Sequence, residues 1–170
     1  MEEVCSNGLG LDARDPVDVA RFWPGVLGWS AEAQADGSVD VASEDDQAYR
    51  LLVRPSEAPK VGRNRIHLDL PSATPEAMDE TIARALALGG RRVHIGQTAE
   101  DEHEVLSVPE GNEFCVIEQG NTFLADTGVI GGINCDGTQA VGYFWSEALG
   151  WPLVWDENEE TAIQAPAGGS

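Results

Sequence analysis

Apolar and polar positions along this chain switch between a period of two and a period near 3.6, and the switches predict its elements. Ser6 to Asp12 alternates weakly, with Leu9 and Leu11 to one side, and predicts a strand. Asp15-Pro16 then joins a good N-cap to a residue suited to the first helical position. Val19, Phe22, Trp23, Val26 and Leu27 recur at i, i+3, i+4, i+7 and i+8, which makes one apolar helix face. Pro24 is expected to kink or shorten this helix, because it lacks an N–H and crowds the preceding turn, and Gly28 to stop it. Ala31–Ala35 and Ser38–Ala42 flank Asp36-Gly37, a hairpin signal, and Tyr49–Val53 is a further short strand. The order is βαβββ. Ser56–Asn64, with Pro59 and Gly62, reads as a linker.

The same order then returns. Arg65–Leu70 is a strand. Thr74-Pro75 opens a second helix with Met78, Ile82, Ala85 and Leu86 on one face and Gly89-Gly90 at its end. Arg92–Ile95, Glu104–Ser107 and Glu113–Glu118 are three strands, the last two joined by the turn Pro109-Glu-Gly-Asn112. After a second linker, Phe22-Trp-Pro-Gly-Val-Leu-Gly-Trp29 reappears as Phe144-Trp-Ser-Glu-Ala-Leu-Gly-Trp151, identical at five of eight positions and offset by 122. The same offset pairs Gly10 with Gly132, Leu11 with Ile133 and Val19 with Val141. A third βα unit therefore starts near Val129, with a hairpin through Trp155 and Thr161–Ile163. It stops before a fourth strand, and a unit of this kind does not bury its apolar face alone.

Composition narrows the function classes. The 170 residues suffice for one ordinary domain with an appendage. A formal net charge of −20 and a pI near 4.2 argue against binding a phosphate backbone and favour solubility or a cationic ligand. The three cysteines, Cys5, Cys115 and Cys135, are odd in number and show no CxxC spacing, which suits a reducing cytoplasm. No signal peptide or membrane-spanning run is read from the sequence, so neither nucleic acid nor membrane is expected as a partner.

The βαβββ duplication with Phe22-Trp23…Leu27-Gly28-Trp29, Lys60…Asn64-Arg65-Ile66-His67-Leu68-Asp69-Leu70 and Pro109-Glu-Gly-Asn-Glu-Phe-Cys115 resembles the glyoxalase-like branch of the vicinal oxygen chelate superfamily. That superfamily includes glyoxalase I, extradiol dioxygenases, fosfomycin-resistance enzymes and bleomycin-resistance proteins. The resemblance implies an α+β fold of paired βαβββ modules, with helices outside a curved mixed sheet. The domain spans residues 4–118, as modules 4–55 and 62–118. A linker at 119–128 and a partial third module at 129–170 follow. The partial module is expected to pair with another chain, as in a homodimer, or to belong to a four-module protein.

In metal-dependent relatives the ligands come from the first and last strands of each module. Carried over, those positions hold His67 and Glu118 in the second module, Gly10 and Val53 in the first, and Gly132 in the third unit. Two ligands fall short of the three that a catalytic divalent ion uses, so absence of a metal is favoured. A His–Glu pair without metal would still be an acid–base candidate. Alternation places Arg65 and Asp69 with His67, Phe114 and Val116 with Glu118, and Tyr49 and Leu51 with Val53. These residues describe a largely apolar cavity with a few polar groups, the make-up of a small-molecule site. Cys115, of opposite parity to Glu118, is expected to face the helices as a buried thiol. The first expectation is a binder that sequesters a small organic molecule, as resistance-type proteins do. The second is a metal-dependent lyase, isomerase or dioxygenase using His67 and Glu118.

Overall fold

A computed structural model of the chain describes residues 8–44, 50–98, 101–125 and 127–165. The first module runs through β1 (Leu9–Ala13), α1 (Pro16–Leu27), β2 (Ser30–Ala33), β3 (Val39–Ala42) and β4 (Leu51–Pro55). Its sheet has the order β1-β4-β3-β2, with β1 parallel to β4 and the rest an antiparallel meander. The second module repeats this as β5 (Ile66–Pro71), α2 (Pro75–Ala87), β6 (Arg91–Arg92), β7 (Glu104–Ser107) and β8 (Glu113–Ile117). A third unit follows, β9 (Gly132–Cys135), α3 (Gln139–Leu149) and the hairpin β10 (Leu153–Glu157) and β11 (Glu160–Ile163). Its strand β9 joins the second sheet, whose order becomes β6-β7-β8-β5-β9. Ser6 and Tyr49 lie outside the described residues.

Local chemistry explains the element ends. The Asp15 carboxylate accepts from the N–H groups of Val17 and Asp18 at 3.1 and 3.2 Å, and Pro16 occupies the first turn of α1. The helix does not break at Pro24. The missing N–H removes one intrahelical bond near the C-terminus, while Phe22, Trp23, Val26 and Leu27 are all buried and hold the last turn in place. Gly28 closes it in the left-handed region, its N–H bonded to Pro24 O at 2.8 Å. Thr74 caps α2, which buries Ile82 and Ala85, whereas Leu86 turns outward at 39% exposure. The strand expected through Ile95 shortens to Arg91–Arg92, followed by one further bridge from Val93 N–H to Val105 O.

Both modules share one core. Leu51, Val53, Val39 and Val41 of the first sheet and Leu68, Leu70, Leu106, Phe114 and Val116 of the second face α1 and α2. At the centre Phe22, Trp23 and Phe114 meet edge-to-face, with ring centroids 5.4, 5.7 and 5.2 Å apart. Gly90 permits the close approach beside them, since a Cβ there would lie 2.8 Å from Ala85 O, 2.9 Å from Ser107 O and 3.1 Å from the Phe22 ring. A second tie joins the modules. Glu110, in the turn before β8, accepts from the backbone N–H groups of Arg14 and Asp15 at 2.9 and 2.6 Å. The third unit contributes Ile130 to this core, while α3 buries none of its residues. Among the described residues no helix is long and apolar enough to cross a membrane.

Truncating Phe114 to alanine removes a fully buried ring on which two other rings pack. The expected loss is about 3–5 kcal/mol of unfolding free energy, measured by urea denaturation, with Phe144→Ala on the exposed face of α3 costing far less.

Candidate functional site

The strand β5 separates its two faces cleanly. Leu68 and Leu70 enter the core, so His67 and Asp69 emerge on the opposite face of the sheet. The partner strand β8 is buried on both faces. It runs parallel to β5 with Asp69 opposite Cys115 and Leu70 opposite Val116. That register places Cys115 on the face of His67 and Asp69, with Phe114 and Val116 turned to the core.

Three different donors converge there. His67 Nδ1 lies 3.2 Å from Asp69 Oδ1 and 3.6 Å from Cys115 Sγ, and the donor atoms of all three residues lie within 4.8 Å of one another. The His67 and Asp69 side chains retain 16% and 14% exposure, and Cys115 is buried. On the other side of β5, the ladder sets Asn134 directly opposite His67, and Asn134 Nδ2 lies 3.5 Å from Asp69 Oδ2. Glu113 continues the same face of β8. Its Oε2 accepts from Lys60 Nζ at 2.9 Å and from Asn64 N–H at 3.1 Å, which ties the loop before β5 to the rim of the site. Beyond Cys115 the face turns apolar. Val105 and Ile117 are buried there, with Val93, Ile95 and Leu124 packed against them.

The ionisation states follow from these contacts. The hydrogen bond to Asp69 raises the His67 pKa above its ordinary value, and burial opposes this only in part. Burial first, then the Asp69 carboxylate, pushes the Cys115 thiol up to about 12. Burial alone would raise Glu113, but the Lys60 and Asn64 hydrogen bonds outweigh it and hold the carboxyl below its usual range. The cluster is therefore not a cysteine–histidine–aspartate relay. Asp69 and Cys115 approach the same ring nitrogen, and the thiol is held neutral rather than activated.

Several expected positions fall elsewhere. Glu118 lies just past the end of β8, its carboxylate accepts from Asn121 Nδ2 at 3.3 Å, and no hydrogen bond or ion pair joins it to His67. Phe114, Val116 and Leu51 are fully buried in the helix-side core, as is Val53. Arg65 is exposed just before β5 and donates to Asp136 O at 3.3 Å. Tyr49 lies outside the described residues. Cys115 faces the site rather than the helices. For Glu118, Phe114, Val116 and Cys115 the reason is shared: β8 is apolar on both sides, so alternation alone does not tell its faces apart. Asn134 was missed because the sequence does not say which strand covers the edge of β5. The equivalent of His67-Leu-Asp69 in the first module is Gly10-Leu-Asp12, where Asp12 stands opposite Arg54. The parallel β5–β8 register, with Asp69 opposite Cys115, sets His67 level with Glu113 and leaves Glu118 five residues further along, so the two do not stand as a ligand pair. An open recess lined by Arg14, Asp15, Glu57 and Glu110 lies at the junction of the modules instead of on the His67 face.

The family of the glyoxalase-like domain matches residues 8–117. No curated protein matches this sequence significantly. Among solved structures the chain is similar to a glyoxalase/bleomycin resistance protein/dioxygenase family enzyme from Burkholderia phytofirmans PsJN. That pair is 17% identical with a TM-score of 0.52, covering 65% of this chain and 94% of that one. It is also similar to the genomically encoded fosfomycin resistance protein FosX of Listeria monocytogenes, at 13% identity and a TM-score of 0.55, covering 71% and 94%. A mutant of that protein, complexed with Mn(II) and 1S,2S-dihydroxypropylphosphonic acid, matches at 12% identity and a TM-score of 0.55, covering 69% and 94%. At these identities the likeness concerns the fold.

In metal-free protein, Asp69→Asn should lower the His67 pKa, read from the imidazole proton shifts against pH. The sign for stability follows. His67 is raised on folding, so its contribution is complete below the unfolded histidine pKa and is lost as pH rises through the folded value. The variant should flatten that dependence.

Proposed function

Since the match over residues 8–117 makes this chain a member of the glyoxalase-like domain family, we propose that it binds a small organic molecule on the His67 face of its second sheet. The observation that carries this reading is the convergence of His67, Asp69, Asn134 and Glu113 at one end of a face whose other end is apolar. Apolar lining with a few placed polar groups is the usual constitution of a small-molecule site. The ligand fitting it is amphipathic. Its polar head meets Asp69, Asn134 and the Lys60–Glu113 pair, and its apolar part lies toward Val105, Ile117 and Leu124. The net charge of −20 favours a cationic or neutral head over an anionic one. Sequestration of such a molecule, as in resistance-type binders, needs no reaction step.

A panel of cationic and neutral amphipathic small molecules, tested by thermal unfolding in the presence of a chelator, checks this. At about 100 times Kd a ligand adds about 2.7 kcal/mol, or roughly 5–10 °C for a chain of this size. His67→Ala and Asn134→Ala should each abolish the shift, and Leu52→Ala on the first sheet should leave it intact. A panel without any shift, or a shift indifferent to His67 and Asn134, removes the assignment.

A further inference from the structure

We propose that His67, Asp69 and Cys115 form a binding site for a thiophilic divalent ion of the zinc class. The site rests on the same face as the proposed ligand site and uses a donor set different from the His67–Glu118 pair that the resemblance implied.

Spacing supports it first. Zinc bonds to nitrogen and oxygen are near 2.0–2.2 Å and to sulfur near 2.3 Å, so tetrahedral donors stand roughly 3.3–3.6 Å apart. The His67–Asp69 and His67–Cys115 separations are 3.2 and 3.6 Å. These two separations are close to those an ion would impose, and all three donors lie within 4.8 Å of one another. Asp69 and Cys115 both crowd the one ring nitrogen, Nδ1, and an ion placed among the three would engage all of them at once.

Backbone rigidity supports it next. His67 and Asp69 are two residues apart on one strand, and Cys115 stands opposite Asp69 on its parallel neighbour. All three are held by the sheet rather than by a loop, so the donor set is preorganised. Asn134, from β9 on the other side, reaches the second oxygen of Asp69 at 3.5 Å and is placed to orient that carboxylate. Three protein ligands leave a fourth position for water or for an oxygen of the organic ligand, the pattern of an open rather than a structural site.

Donor chemistry then selects the ion. A thiolate with an imidazole suits zinc, cobalt and other borderline to soft ions, whereas Mg(II) and Mn(II) prefer sites built from oxygen. The FosX structure contains Mn(II); the Cys115 sulfur points to a different preference here. Binding requires Cys115 and His67 to release their protons to solvent as the ion enters, and nothing is oxidised or reduced.

The test uses the full chain, stripped with chelator and titrated with Co(II) as a spectroscopic probe and with Zn(II) as competitor. The expected result is a stoichiometric complex with a thiolate-to-cobalt charge-transfer band in the near ultraviolet and strong tetrahedral visible bands. Zn(II) should bleach both, and excess Mg(II) or Mn(II) should not. Cys115→Ser should remove the charge-transfer band, and the double variant Cys5→Ser with Cys135→Ser should keep it. Asn134→Ala should weaken Co(II) affinity by about 10–100-fold, the range for groups that orient a ligand. Circular dichroism of each variant shows whether it is folded. If Cys115→Ser proves unfolded, His67→Gln in its place should abolish the tetrahedral bands. Absence of the charge-transfer band in the wild type, or its persistence in folded Cys115→Ser, overturns the site. Ligand-induced stabilisation in chelator together with no cobalt band rejects the ion and keeps the small-molecule reading. A cobalt band with no ligand stabilisation does the reverse.

Discussion

The edge-to-face packing of Phe22, Trp23 and Phe114 is the contact on which the rest of this structure depends. It presses the helix of the first module onto the last strand of the second, and so decides which face of β8 enters the core. With Phe114 and Val116 committed to the helices, pleat geometry sends Glu113, Cys115 and Ile117 to the opposite face. A slip of one residue would exchange every side chain between core and site. Burying three aromatic rings in one place makes that slip costly, and the position of the sulfur beside His67 follows from it.

The edge of β5 is the second decisive feature. A parallel neighbour, β8, occupies one side of it, and β9 of the third unit closes the other in antiparallel register, with Gly131 N–H bonded to Asp69 O and Asp136 N–H to Arg65 O at the ends of the ladder. β5 is thereby a central strand, and His67 and Asp69 are flanked by Cys115 on one side and Asn134 on the other. The small residues where β9 begins suit this approach. A Cβ on Gly131 would meet Pro71 at 2.8 Å.

The repeat in sequence carries local structure but not burial. Phe22 and Trp23 are 1% and 3% exposed, whereas their counterparts Phe144 and Trp145 in α3 are 60% and 44% exposed. Both pairs sit in helices that end at a left-handed glycine, Gly28 and Gly150. The difference lies in what packs on them. The first pair finds Phe114 across a module junction; among the described residues the ring contact of the second pair is with each other, with centroids 5.1 Å apart.

Much of the fold was legible in the residues themselves. Asp15-Pro16 and Thr74-Pro75 mark helix starts because a side-chain acceptor and a missing N–H suit the first turn, and Asp36-Gly37 marks a hairpin because glycine accepts the left-handed conformation the turn requires. In β5 the alternation of Leu68 and Leu70 with His67 and Asp69 separates the faces without help, because one set is apolar and the other polar. Tertiary structure decided everything that alternation left symmetric. β8 is apolar on both faces, so only its contact with α1 could assign Phe114 to the core and Cys115 to the site, leaving Glu118 outside. Asn134 joins His67 only because a strand more than sixty residues later pairs with β5. Local sequence determines an element through short-range sterics and hydrogen bonding; a site composed across strands depends on which surfaces meet, and that is set by packing of the whole chain.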